Sequence, residues 1–444
     1  MKKLQIISLG CSKNRVDSEH LMKQLSASGY ILVPENVGLI EEPVDYILIN
    51  TCGFIQDAKE ESIETIFKAI EAKNLGLAQK IFVFGCLSQR YMETLVEMIP
   101  EVDGFFGVSD FETLLSTLGA KYNSELQQQR ILTTPSHYAY LKISEGCDRS
   151  CSYCAIPMIR GPHRSVPEEE VLAEARNLAQ MGVKELIVVA QDTTYYGLDL
   201  YRKRTLATLL EKLSLIDGIE WIRLHYSYPA GFPEDVLRLM AENPKICKYI
   251  DIPLQHSSDK VLKMMRRSID GHQTRALIEK MRKMVPGVVL RTTMLVGHQS
   301  EDKREFEDLL DFVRESRFER LGAFTYSEEE GTFGAQNYKD SVSRKVKQER
   351  YERLMELQSG ISLEYNRSRI GSKEKVIVDS FTDGVYVGRS MSESPEVDGE
   401  ILIGASGMDK LFKGKNPVGN FISVDILNAD EYDLAAVCSV STAS

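Results

Sequence analysis

The sequence predicts an α/β chain of three parts: an N-terminal doubly wound parallel sheet, a central partial (β/α) barrel and a small C-terminal all-β barrel. Three observations predict it. Short apolar runs alternate with stretches of helical period through the first 130 residues. The alternation resumes for six further strand–helix units between Ala139 and Phe324. Beyond Gly371 it gives way to closely spaced strands with Gly-rich turns. A length of 444 residues suits about three domains.

In chain order, strands are expected at 4–9, 46–50, 81–84 and 104–106, with helices at 17–28, 57–72 and 88–99. Polar residues from Asn123 to Arg130, then Thr133-Thr134-Pro135, mark a linker. The first domain is therefore expected at 1–130. The second, at 135–370, holds strands at 140–143, 185–190, 221–226, 249–252, 288–295 and 321–324, with helices such as 167–181, 233–242 and 301–315. A charged helix over 342–369 follows. The third domain, 373–440, has strands at 376–381, 385–389, 401–403 and 421–426, consistent with an OB-like barrel.

Composition narrows the function classes. Hydrophobic residues make 43% and charged residues 27%, which excludes a disordered chain or a collagen. No apolar run approaches the roughly 20 residues of a membrane helix. Leu9-Gly10-Cys11 superficially resembles a lipoprotein box, but Gln5 interrupts the apolar stretch before it. The segment reads as a first strand, and a cytoplasmic location is expected. Lys and Arg total 54 against 65 Asp and Glu, net −11, which disfavours a generic grip on phosphates. Residues 1–130 carry 12 basic and 18 acidic residues, and residues 373–444 carry 6 and 12. The centre is close to neutral.

The strongest signal is Cys147-Asp148-Arg149-Ser150-Cys151-Ser152-Tyr153-Cys154, directly after the first barrel strand. A C-x3-C-x2-C loop lets three thiolates converge and leaves no fourth Cys nearby. Three soft ligands on a four-iron cluster leave one iron open to a substrate. Zinc with His163 as fourth ligand is the competing reading.

Cys11, Cys52 and Cys86 each follow a predicted parallel strand, where open α/β sheets bind ligands. Adjacent Gly10, Gly53 and Gly85 allow close backbone approach. Three such thiols read as co-ligands, with three buried structural cysteines as the alternative. Cys247 and Cys438 match neither set and read as packed thiols.

The Cys147 loop after a first barrel strand resembles the radical S-adenosylmethionine (SAM) superfamily. Together with Gly10-Cys11-Ser12-Lys13-Asn14, Asn50-Thr51-Cys52-Gly53-Phe54-Ile55 and Gly85-Cys86, it resembles the methylthiotransferases, over nearly the whole chain. The resemblance implies two 4Fe–4S clusters, on Cys11, Cys52 and Cys86 and on Cys147, Cys151 and Cys154, and a TRAM-like third domain. It implies that one SAM donates methyl to a cluster-linked sulfide. Another SAM, cleaved by an electron from the barrel cluster, yields the radical that takes hydrogen from an unreactive C–H bond. No side-chain acid or base beyond the cluster ligands is expected. Strand-end residues Gln191, Asp192, Ser227, Gln255 and Arg291 are candidates for SAM's polar groups, with Tyr153 beside its adenine. His225 and His256 read as structural. The family's usual Gly-Phe-Pro-Gly-Glu-Thr is here Gly297-His298-Gln299-Ser300-Glu301-Asp302, which alters a SAM-side turn, and Phe333 replaces a usual Pro.

Methylthiotransferases act either on hypermodified adenosine in tRNA or on the β-carbon of an aspartate in small-subunit ribosomal protein twelve. Cys11-Ser12-Lys13-Asn14-Arg15-Val16-Asp17-Ser18-Glu19 and Ala190-Gln191-Asp192-Thr193-Thr194 resemble the ribosomal-protein branch. The tRNA branches commonly read Cys-Gln-Met-Asn or Cys-Lys-Val-Asn at the first of these. The acidic stretch Glu393-Ser394-Pro395-Glu396-Val397-Asp398-Gly399-Glu400 is expected to repel tRNA and complement a basic ribosomal protein. Arg266-Arg267, and Arg344-Lys345 with Lys347, keep an RNA contact open. The expected partners are that ribosomal protein, free or in the assembled subunit, and an electron donor protein; neither a membrane nor tRNA is expected. A tRNA methylthiotransferase is the alternative function, followed by an iron–sulfur electron carrier and a zinc-bearing binding module.

Overall fold

In the computed structural model the described residues are 1–34, 43–405 and 407–439. The N-terminal sheet has the strand order Ile31–Val33, Lys3–Ser8, Val44–Thr51, Ala78–Gly85 and Gly104–Phe105, all parallel. Its central strand is apolar from Tyr46 to Ile49, where both faces are covered. Tyr46 and Leu48 face the helices Ser12–Ala27 and Phe111–Thr117, while Ile47 and Ile49 face Gln56–Asn74 and Cys86–Met98. The edge strand Ile31–Val33 was not expected; three residues are too few to carry an alternation.

The central sheet has six parallel strands in the order Tyr138–Lys142, Glu185–Val189, Trp221–Leu224, Ile246–Asp251, Val289–Val296 and Arg320–Thr325. It curves into a partial barrel over one large apolar core. The 25-residue helix Arg344–Ser368 leads to a closed barrel of Lys373–Thr382, Val385–Arg389, Ile401–Gly404, Leu434–Cys438 and Phe421–Ala429. Leu434–Cys438 was not expected as a strand. It is fixed by parallel pairing with Ile401–Gly404, which no local pattern announces. Val440, the last residue expected in this domain, lies outside the described residues.

The acidic stretch 393–400 divides: Glu393 and Asp398 are enclosed at the seam with the wide barrel, while Glu396 and Glu400 are exposed. Glu393, only 1% exposed, pairs with Arg320 at 3.0 Å and with Arg369. Ser394 Oγ lies 2.8 Å from His225 Nε2, and Tyr249 donates to Asp398 at 2.6 Å. Glu396 accepts from Tyr140 at 2.9 Å and pairs with Arg15 of the first helix. Glu393, Glu396 and Asp398 thus answer the chain's own arginines and tyrosines. Of the basic patches, Arg267 and Lys347 turn inward, Arg267 donating to the Pro253 carbonyl at 2.6 Å and Lys347 pairing with Asp340 and donating to the Tyr326 carbonyl, while Arg266, Arg344 and Lys345 are exposed.

Candidate active site

The strand order places Lys3–Ser8, Val44–Thr51 and Ala78–Gly85 side by side, with the topological switch between the first two. Cys11 is the N-cap of the helix after the first, Cys52 follows the second directly, and Cys86 opens the helix after the third. Three thiols thus stand at three adjacent strand ends. Gly10 has φ +85°, and a Cβ there would lie 2.7 Å from Cys52 Cβ. Asn14 Nδ2 donates to the Leu9 and Thr51 carbonyls at 3.0 Å each, and Asn50 Nδ2 donates to the Asn14 carbonyl at 2.8 Å. These amides lace the strand ends together. Burial pushes the Cys52 thiol up to about 12, with Cys11 and Cys86 adding to the shift. Cys52 and Cys86 are buried and Cys11 half-buried, with Asn14 Oδ1 3.6 Å from Cys86 Sγ; the three thiols form a soft donor set, and binding iron would take them as thiolates.

The second triad lies on the loop leaving Tyr138–Lys142. Burial pushes Cys147 up to about 11 and Cys154 up to about 12. The Arg149 N–H donates to Cys147 Sγ at 3.4 Å, and Arg267 Nη1 to Cys151 Sγ at 3.8 Å. Both guanidiniums lie over the Tyr228 ring, at 3.9 and 4.4 Å from its centroid. Around them, four buried polar atoms have no protein partner: Arg149 Nη2, Arg267 Nε, Gln191 Oε1 and Ser227 Oγ. Donors and acceptors left open beside a thiol triad fit a small zwitterionic ligand with hydroxyls, as SAM is.

The two triads meet through their helices. Cys86 packs with Ala155 and Ile159, so the helix Ile156–Arg160 that follows Cys154 lies on the helix that begins at Cys86. Arg160 ends the first of these and is buried. Its Nη2 donates to Cys86 Sγ at 3.3 Å and to Asn14 Oδ1, while Nη1 reaches Asp17 at 2.8 Å and Glu145 at 3.1 Å. Glu329, on the loop after the last barrel strand, pairs with Lys59 at 3.0 Å and with Arg90 at 2.8 Å. Arg90 also donates to the Gly53 carbonyl at 3.0 Å, tying that loop beside Cys52.

The predicted SAM contacts divide. Gln191 donates to Glu145 at 2.8 Å and keeps Oε1 open, and Ser227 keeps its hydroxyl open. Tyr153 Oη is 3.4 Å from Arg267 Nη1, beside the triad. Gln255 has φ +75° and is tied through its backbone to Thr293 and Leu295. Asp192 is committed to the protein: it accepts from Arg149 Nε at 2.8 Å and from Thr194 Oγ1 at 2.6 Å. Arg291 is committed to Asp251 at 3.0 Å and Asp398 at 3.5 Å, at the seam with the small barrel. Both ion pairs use Nη1 and Nε of the same guanidinium.

His163, the proposed fourth zinc ligand, has Nε2 within 3.1 Å of Ser165 Oγ, and its charged neighbours are Asp199, Asp192, Asp148 and Arg149 rather than thiols. Among the described residues, no three His, Cys, Asp or Glu side chains are grouped to hold a single ion. His256 Nε2 lies 3.1 Å from Glu301, and Cys247 and Cys438 are packed in cores. In the atypical 297–302 turn, Glu301 accepts the Gly297 N–H at 3.1 Å and pairs with Arg350 at 2.7 Å, while Asp302 caps the next helix. Side-chain hydrogen bonds shape the turn where the family has Pro and Gly.

Sequence reasoning missed Arg149, Arg160, Arg267, Glu145 and Tyr228. Arg149 was within view, since it lies inside the triad loop itself. Arg160 stands six residues past Cys154, and nothing local marks its partner as Cys86.

The chain matches the Radical SAM superfamily over residues 141–313, the uncharacterized protein family UPF0004 over 3–107 and the TRAM domain over 370–438. It is similar to the ribosomal protein uS12 methylthiotransferase RimO of Bacteroides fragilis, at 53% identity over 98% of both chains. The protein of the same name from Cytophaga hutchinsonii is 49% identical over 97% of both. Among solved structures, the radical SAM methyltransferase TsrM from Kitasatospora setae, with cobalamin and a 4Fe-4S cluster bound, has a TM-score of 0.55 at 12% identity, covering 89% of this chain and 82% of its own. That likeness concerns the fold. A radical SAM barrel joined to a TRAM barrel, and full-length identity near one half, place the chain in a family whose cofactors are SAM and a 4Fe–4S cluster: it belongs to the radical SAM methylthiotransferases, among the RimO proteins.

Proposed function

We propose that this chain transfers a methylthio group to the β-carbon of an aspartate in ribosomal protein uS12. In this reading Cys147, Cys151 and Cys154 hold the radical-generating cluster, and Cys11, Cys52 and Cys86 hold a second 4Fe–4S cluster. The work is divided between an auxiliary-cluster domain at 1–130, a radical SAM domain at 135–370 and a TRAM-like domain at 373–440. The observation that carries the proposal is the packing of Cys86 against Ala155 and Ile159, which sets the two triads on touching helices. When bound, the clusters and SAM supply the carbon radical, the sulfur and the methyl group.

The chain's own residues orient and shield. Arg149, held by Asp192, and Arg267, held by the Pro253 carbonyl, leave one nitrogen each for the SAM carboxylate. Gln191 and Ser227 offer an acceptor and a hydroxyl to its amino and ribose groups. Arg160 balances the thiolate charge of the N-terminal triad, and the Lys59–Glu329–Arg90 pairing closes the side near Cys52 against water. An electron donor protein completes the set of partners.

The test is mass spectrometry of ribosomal protein uS12 and digested tRNA from a strain lacking the protein, joined to iron content of the purified chain. Loss of the methylthio group from uS12 alone supports the reading, and loss from tRNA alone overturns its substrate. Replacing Cys11, Cys52 and Cys86 by Ala should remove about half the iron, as two like clusters require.

A further inference from the structure

Lys13 is the second residue of the helix that begins at Ser12, two positions past Cys11. Its side chain crosses from the N-terminal sheet to the wide barrel, where Nζ lies 3.3 Å from the centroid of the Tyr226 ring. The residue is 7% exposed. Lys347 is equally buried, but its ammonium is matched by Asp340. Among the described residues Lys13 has no carboxylate within ion-pair distance. Its polar neighbours are the Tyr226 hydroxyl, which is within hydrogen-bond reach, the Cys11 thiol and another cation, Arg160. A buried ammonium whose partners are a tyrosine and a thiol, with no carboxylate, is costly and has room for an anion the protein itself does not supply.

The place is informative. Tyr226 has φ +57°, an uncommon backbone for a residue with a bulky side chain, fixed by its N–H donating to Asp251 Oδ2 at 3.0 Å. The next residue is Ser227, one of the four with an open polar atom on the SAM side. Lys13 therefore spans from the thiol that would help hold the sulfur-bearing cluster to the strand end beside the radical site. In the function proposed above, a carbon that loses hydrogen on one side and gains sulfur from the other lies between these two ends. In an aspartate side chain the β-carbon is one bond from the carboxylate. An ammonium anchoring that carboxylate sets the β-carbon between the two triads.

We propose that Lys13 binds the side-chain carboxylate of the substrate aspartate and so selects an acidic residue of a protein over a tRNA base. This rests on the function proposed above. The competing role is a counter-charge for the cluster on Cys11, Cys52 and Cys86.

The test uses the full-length, cluster-loaded protein and its Lys13→Met and Lys13→Arg variants. Affinity is measured by titration for ribosomal protein uS12 and for uS12 with the modified aspartate replaced by asparagine, alongside the midpoint potential and iron content of each variant. The wild type should prefer the aspartate form by about 10- to 100-fold, the range for a hydrogen-bonded charge. Lys13→Met should lose that preference at unchanged iron content and potential, and Lys13→Arg should retain most of it. A Lys13→Met protein that keeps the preference, or that instead loses iron or shifts in potential while both affinities fall together, overturns the proposal. A wild type that binds uS12 but ignores the aspartate-to-asparagine change overturns it as well, leaving the function standing. A wild type that neither binds nor modifies uS12 overturns the function itself.

Discussion

Arg160 Nη2 lies 3.3 Å from Cys86 Sγ, so a side chain of the radical SAM barrel directly touches a thiol of the N-terminal sheet. The same guanidinium is held by Asp17 from one domain and Glu145 from the other. One buried cation thus fixes the geometry between the two triads.

Replacing Arg160 by Met should leave Asp17 and Glu145 facing one another with only Lys142 between them. Breaking a buried ion pair from one side costs about 3–5 kcal/mol, so denaturant unfolding should show a loss of that order. Iron retained on the N-terminal triad should fall with it, while the Cys147 triad, whose contacts are untouched, keeps its share.

Gly10→Ala combines two penalties. A left-handed φ costs a residue with a Cβ about 1–2 kcal/mol, and the new methyl would stand 2.7 Å from Cys52 Cβ and 3.0 Å from its Sγ. Cys52 must move. The variant should fold and bind SAM but hold less iron at the N-terminal site, as read by iron and sulfide analysis.

Burial lowers His225 to about 3, and its Nε2 is engaged with Ser394 at the seam. The unfolded chain takes a proton at the ordinary value of 6.5, the folded one only near 3. Its contribution to stability is therefore complete above 6.5 and is lost as pH falls from 6.5 towards 3. Unfolding free energies measured across that window should flatten in His225→Gln.

Burial alone would raise the Glu393 carboxyl, but Arg369 and Arg320 outweigh it and hold it at about 2. Its stabilisation is present above the ordinary 4.5 and disappears as pH falls from there through about 2. Glu393→Gln should cost about 3–5 kcal/mol at neutral pH, because buried Arg320 loses its carboxylate and Arg369 keeps only Glu374. Limited proteolysis should then release the C-terminal barrel more readily than in the parent.

The parallel N-terminal sheet, the six-stranded barrel and the positions of the six cysteines were legible because each depends on local pattern. Alternating faces, helical period and a Cys at a strand end are properties of neighbours in the chain. The strands Ile31–Val33 and Leu434–Cys438 escaped because register with a distant partner, not their own residues, makes them strands.

What the sequence determined by itself is which elements form, where the thiols sit along them and, through resemblance, which chemistry they serve. The tertiary structure decided which charges neutralise which. Among the acids of 393–400, Glu393 and Asp398 are drawn into a seam while Glu396 and Glu400 stay exposed, and Arg291 gains Asp251 and Asp398 as partners. Arg160 and Lys13 carry no local mark of their roles. Partners for buried charges are chosen by the cost of leaving any of them unpaired, and that cost is settled only when segments hundreds of residues apart are brought together.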